Sequence, residues 1–136
     1  MRELLALEAD PRPGTRPLAD TALGVLGIEL VSCDPRRVVA RMTVDGSSAG
    51  PGVLLVLAET AASTAAGMAV GPGRRAFGAE LNASFVRRPC PGVVVAVATP
   101  LAIAAERHVW AIRVTDGRDE LVLESRCTLG VVDAPT

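Results

Sequence analysis

One acid stands alone in an apolar run. Glu59 is the only charged residue between Asp45 and Arg74, and its neighbours from Val53 to Val70 are otherwise small, apolar or hydroxylated. A carboxylate carried into apolar surroundings is costly unless it is paired, neutralised or put to use. A carboxylate held in such a place can serve as a general base. The residue alone admits two readings: a base placed for chemistry, or a glutamate that meets an arginine brought in by the fold.

The remaining reactive side chains narrow the chemistry. His108 is the sole histidine, and its place beside Trp110 on an alternating segment reads as a surface or edge position, not a catalytic one. Cys33, Cys90 and Cys127 are widely spaced with no CxxC pair. They read as buried or free thiols in a reducing compartment. No His/Cys/Asp grouping has metal-ligand spacing, so no metal is expected. Gly50-Pro51-Gly52 and Gly71-Pro72-Gly73 are turns that lack the lysine and spacing of a phosphate-binding loop. All fourteen cations are arginines and the formal net charge is -1, which argues against nucleic acid as a partner.

The 136 residues suit one domain with a single core, which valine, leucine and alanine must fill because aromatic residues make up only 2%. Three spans are expected: an N-terminal helical segment over 1–22, the domain over 23–132 and a tail over 133–136. The N-terminus carries an early acid and no long apolar stretch, so no signal peptide is expected. The run from Val53 to Val70 is long enough to raise the question of a membrane span. Its Glu, Thr and Ser, its alanine bias and its lack of basic flanks favour a buried helix in a cytoplasmic protein with no membrane partner.

Glu59 must be positioned by that helix, which starts after the loop Asp45 to Pro51 and stops before Gly71-Pro72-Gly73. Shorter helical patterns cover Arg2 to Ala9 and Pro17 to Leu23. Strands are expected over Val25–Ser32 and over Val38–Val44, where Val38, Ala40, Met42 and Val44 share a face. After the helix come Ala76–Arg87, Val93–Thr99, Arg107–Thr115 and Glu120–Leu129. Val93–Thr99 is apolar enough to be covered on both faces, and Asp116-Gly117 marks a hairpin between the last two strands. One long helix among antiparallel strands is an α+β plan, and its Ala, Gly and Ser allow close approach to a sheet.

Four segments resemble those of the hotdog-fold acyl-CoA thioesterases of the PaaI and 4-hydroxybenzoyl-CoA type. They are Leu26-Gly27-Ile28-Glu29-Leu30, Leu57-Ala58-Glu59-Thr60-Ala61-Ala62-Ser63, Glu80-Leu81-Asn82-Ala83-Ser84-Phe85 and Arg126-Cys127-Thr128. The resemblance implies a long central helix wrapped by a five- to six-stranded antiparallel sheet. It also implies a homodimer joined edge to edge, or a dimer of dimers, with active sites between subunits. The activity implied is hydrolysis of an acyl-CoA thioester, with no cofactor beyond the coenzyme A of the substrate. A helix carboxylate acts as nucleophile or as base for water and maps to Glu59. A hydroxyl one turn later maps to Ser63, on the same helix face.

The family usually carries His-Gly-Gly at the helix start, and this chain has Gly50-Pro51-Gly52 there. The family's usual oxyanion donor would fall on Pro51, which has no N–H, so Gly52 N–H is the candidate replacement. Gly50 is expected to border the substrate. A histidine found in some members corresponds to Phe85, a candidate contact. Asn82 fits substrate contact or a purely structural hydrogen bond. Arg87, Arg88 and Arg107 lie at strand ends and are candidates for the phosphates of coenzyme A, or solvated surface charges. The altered helix start leaves a second function open, a non-catalytic acyl-CoA-binding protein.

Overall fold

The computed structural model describes residues 21–45 and 50–135. A single helical turn, α1 (Ala22–Val25), precedes β1 (Glu29–Asp34) and β2 (Arg37–Val44). The long helix α2 spans Gly52–Ala69 and is followed by β3 (Arg74–Phe85), β4 (Gly92–Ile103), β5 (Arg107–Thr115) and β6 (Leu121–Asp133). The strands form one six-stranded sheet in the order β1-β2-β4-β5-β6-β3. All its neighbours are antiparallel. This is the helix-wrapped-by-sheet arrangement that the resemblance implied.

The helix is apolar nearly all round, and it packs on the sheet through one face of mostly small residues. Leu54, Leu57, Ala58, Ala61, Ala62, Ala65 and Ala66 are all buried, which is the three-and-four spacing of a single helix face. Five of those seven are alanines, so the backbone of α2 comes close to the strands beneath it. Inward-facing residues of the sheet complete the core: Val38, Ala40, Met42 and Val44 from β2, Val94, Ala96 and Ala98 from β4, and Trp110, Ile112 and Val114 from β5. The helix ends at Ala69 with Val70 as its C-cap, and Gly71 then takes a positive φ of 76°, which favours a residue without Cβ. The apolar run from Val53 to Val70 is thus the core helix of the domain.

Three local expectations change. The stretch read as a strand from Val25 opens instead as a helical turn, with Gly27 at φ 68° before β1 begins at Glu29. Within this chain β4 is covered on one side only: Val94, Ala96 and Ala98 are buried, while Val93 is exposed and Val95 and Val97 are half-buried. His108 is a core residue, 2% exposed, and its Nδ1 accepts from the Trp110 indole N–H at 3.4 Å. Burial, and then the Arg74 charge, push the His108 pKa below its usual value. The pattern over Arg2 to Ala9 lies outside the described residues.

One feature of the sheet bears directly on Glu59. β3 is an edge strand, and its pairing with β6 slips between Gly78 and Glu80, leaving Ala79 without a cross-strand partner. A bulge of this kind bends and twists a strand locally.

Candidate active site

Glu59 lies in the middle of α2, half-buried, on the side of the helix that meets β3. Ser63 Oγ donates to Glu59 Oε1 at 2.5 Å, as expected for residues one turn apart on one face. Among the described residues no arginine pairs with Glu59; the ion pairs join Arg41 to Glu29, Arg74 to Asp133, Arg87 to Asp116 and Glu120, and Arg113 to Glu124. The reading of a glutamate capped by an arginine therefore finds no support among the described residues. Cys127, on β6 beneath the helix, has its thiol pushed up to about 11 by burial and then by the Glu59 charge. It stays protonated at neutral pH and is no nucleophile.

Gly78 is the residue that sequence reasoning passed over. A Cβ built on it would lie 3.5 Å from Glu59 Oε1, so the backbone of β3 comes close to the carboxylate. The available signal was a lone glycine inside a strand pattern, which suggests a bulge or a close approach.

The start of α2 forms a second centre. Pro51 occupies the cap position, and Gly52 is the first helical residue. The Val53 and Leu54 N–H groups turn to the carbonyls of Gly50 and Pro51, at 3.5 and 3.1 Å. No described residue accepts from Gly52 N–H, so the helix start presents a donor at its positive end. A cleft of about 640 Å³ opens here, lined by Gly50, Pro51, Val53 and Leu54 on the helix side. Phe85, Arg87, Arg88, Pro89 and Pro91 form the facing wall. Gly50, Phe85, Arg87 and Arg88 are thus brought together.

Other candidates lie elsewhere. Arg87 borders the cleft, but its guanidinium is held by Asp116 at 2.6 Å and by Glu120 at 2.8 Å; it is a structural clamp more than a free cation. Arg88 is exposed at the wall. Asn82 alternates with Leu81 and Ala83, which pack on the core, so it faces away from Glu59, and its Nδ2 donates to Glu80 at 3.3 Å. Arg107 is exposed at the start of β5, paired with Gly130 of β6, and does not line the cleft. Among the described residues no cluster of His, Cys, Asp or Glu could hold a metal.

Comparison with known proteins gives this geometry its context. Residues 51–123, which include α2 and most of the sheet, match the Thioesterase superfamily. A 1,4-dihydroxy-2-naphthoyl-CoA hydrolase of Listeria monocytogenes is 36% identical over 112 residues, covering 78% of this chain and 91% of that protein. The enzyme of the same name from Escherichia coli K12 is 29% identical over 116 residues, covering 81% of this chain and 85% of its own. A crystal structure of a thioesterase from Haemophilus influenzae superposes with a TM-score of 0.79 at 31% identity, covering 85% of each chain. The E. coli PaaI protein superposes with a TM-score of 0.76 at 24% identity over 85% of this chain and 86% of that one, a likeness that speaks for the fold alone. With the match running through the helix that carries the lone glutamate, the chain belongs to the hotdog-fold thioesterase superfamily.

Proposed function

We propose that the protein hydrolyses an acyl-coenzyme A thioester to the free acid and coenzyme A, at a site built from two copies of the chain. The observation that carries this reading is the Glu59–Ser63 pair, a carboxylate with a hydroxyl donor and no arginine, half-buried on an apolar helix. Glu59 either takes a proton from an attacking water or attacks the thioester carbonyl itself. Ser63 orients the carboxylate in both cases. The two relatives named as CoA hydrolases support a coenzyme A ester as substrate.

The case for two copies rests on distance. Gly52 and Glu59 are seven residues apart, which at 1.5 Å rise per residue is about 10 Å along the axis. Ser63 draws the Glu59 carboxylate toward the next turn, further from the helix start. Counting the attacking water, a carbonyl that accepts from Gly52 N–H at ~2.9 Å reaches only ~9 Å toward a carboxylate, and only along a nearly straight path, which favours a Glu59 supplied by a second copy. Antiparallel pairing of two β3 edges would bring the Glu59 of one copy toward the helix start of the other. There Gly52 N–H, at the positive end of α2, would stabilise the developing oxyanion. The cleft at that start would hold the coenzyme A portion, with Arg88 free to meet a phosphate. The chemistry draws on these groups alone, without a cofactor.

A panel of aryl- and aliphatic-CoA esters, followed by released thiol, tests the activity. Glu59→Gln is expected to lower kcat by at least ~100-fold, the usual contribution of a general base or nucleophile, with the fold and oligomer intact. Unchanged turnover in that variant would remove the mechanism. Pro51 takes one backbone donor from the helix start, and this favours a second reading, an acyl-CoA-binding protein. Tight binding of the esters with no thiol released would select it.

A further inference from the structure

Glu59 Oε1 is approached from two sides. From α2, Ser63 Oγ donates its one hydroxyl proton to it at 2.5 Å. From β3, the bare Cα of Gly78 faces it: a Cβ there would stand 3.5 Å from this oxygen and within 4 Å of no other atom beyond its immediate chain neighbours. The backbone conformation does not explain the glycine, because Gly78 is not among the residues with positive φ. A carboxylate oxygen holds a water oxygen at ~2.7–2.8 Å. A water on this side of Oε1 and a Cβ at position 78 therefore compete for the same space.

We propose that Gly78 is a positioning residue that reserves, against Glu59 Oε1 on the β3 side, the place of the attacking water. The bulge supports this assignment. The register of β3 on β6 passes from Gly78–Leu129 to Glu80–Thr128, with Ala79 left over, so the strand bends where it passes the carboxylate. Bulges are common beside active sites, where they re-aim a strand. The inference rests on the hydrolytic reading of Glu59 and deepens it to general-base catalysis. Water gives one proton to Oε1 while its oxygen bonds to the acyl carbon. The tetrahedral intermediate then collapses, the C–S bond breaks, and the departing thiolate takes the proton back from Glu59. One thioester and one water yield one acid and one thiol.

The test is Gly78→Ala, assayed on a short-chain and a bulky CoA ester beside the unaltered protein. The methyl would make ordinary contact, so fold, oligomer and thermal stability should be retained. The expected result is an unchanged KM and a kcat lowered by at least ~10-fold for both esters alike, within the range that a positioned base and water contribute. An unaffected kcat would overturn the proposal alone and leave the hydrolytic reading standing. A loss that grows with acyl size would also overturn it, since position 78 would then border the acyl group. No thiol release by the unaltered protein from any ester would overturn the hydrolytic reading together with this one.

Discussion

The Asp116 carboxylate is buried where the β5–β6 turn meets the connector after β3. Its Oδ2 accepts from the Arg87 guanidinium at 2.6 Å and from Cys90 N–H at 3.2 Å, and its Oδ1 from the N–H groups of Arg118 and Glu120 at 3.0 and 3.4 Å. Burial alone would raise its pKa. The three backbone N–H groups and Arg87 outweigh that and hold it at about 2. An unfolded chain would bind this proton near ~3.9. The folded form is thus favoured by the ionised carboxylate above that value, and the advantage fades as pH falls toward 2. Asp116→Asn is expected to be less stable than the unaltered protein near neutrality, with the gap closing as pH drops from ~4 to ~2. Denaturant midpoints measured for both proteins across that range check it; a gap that persists at the acid end would show that the charge is not what Asp116 contributes.

At the scale of elements, that same carboxylate fixes the connector from Val86 to Pro91, and the connector is one wall of the cleft. Two adjacent arginines on it have been given different work. Arg87 turns inward to Asp116 and Glu120, while Arg88 stays exposed at the wall. Arg88→Ala is expected to raise KM for CoA esters several-fold, with kcat and thermal stability held, because it removes binding shared by ground and transition states. Arg87→Ala should instead lower thermal stability, since it leaves a buried carboxylate unpaired. Steady-state kinetics and a melting curve on each separate the two roles. The division could not be read from Arg87-Arg88 as a dipeptide, because it depends on an acid brought to the connector by the β5–β6 turn. Gly78 was hidden for the same reason: only the packing of α2 on β3 brings it to Glu59. Local pattern did carry the helix, the alternation of β2 and β5, and Glu59 itself, whose isolation among apolar residues needs no neighbour to be seen. Ser63 came from the resemblance, and its hydrogen bond to Glu59 is one that a single helical turn allows. His108 misled because a lone histidine on a strand gives no hint of which face the sheet will bury.

At the scale of the molecule, the proposed site draws on two regions of the chain: the helix start with its cleft, and Glu59 with Ser63 one-half of α2 away. If two chains supply one half each, damage to different halves in different chains should be partly repaired by mixing. Glu59→Gln removes the base but leaves the helix start. Gly52→Leu does the reverse, placing bulk over the Gly52 N–H where a side chain meets no atom of the fold within 4 Å at Cβ. In a mixed dimer of two-fold symmetry, one of the two sites would then combine the intact Gly52 of one chain with the intact Glu59 of the other. Equal mixing with free exchange gives mixed dimers in about half the population, each with one working site, so roughly a quarter of the original activity should return. Co-expression of the two variants under different affinity tags isolates the mixed dimers alone, and this doubly purified species should release thiol at about half the original rate. Mixed dimers as inactive as either parent would place both halves of the work within one chain and rule out the shared site.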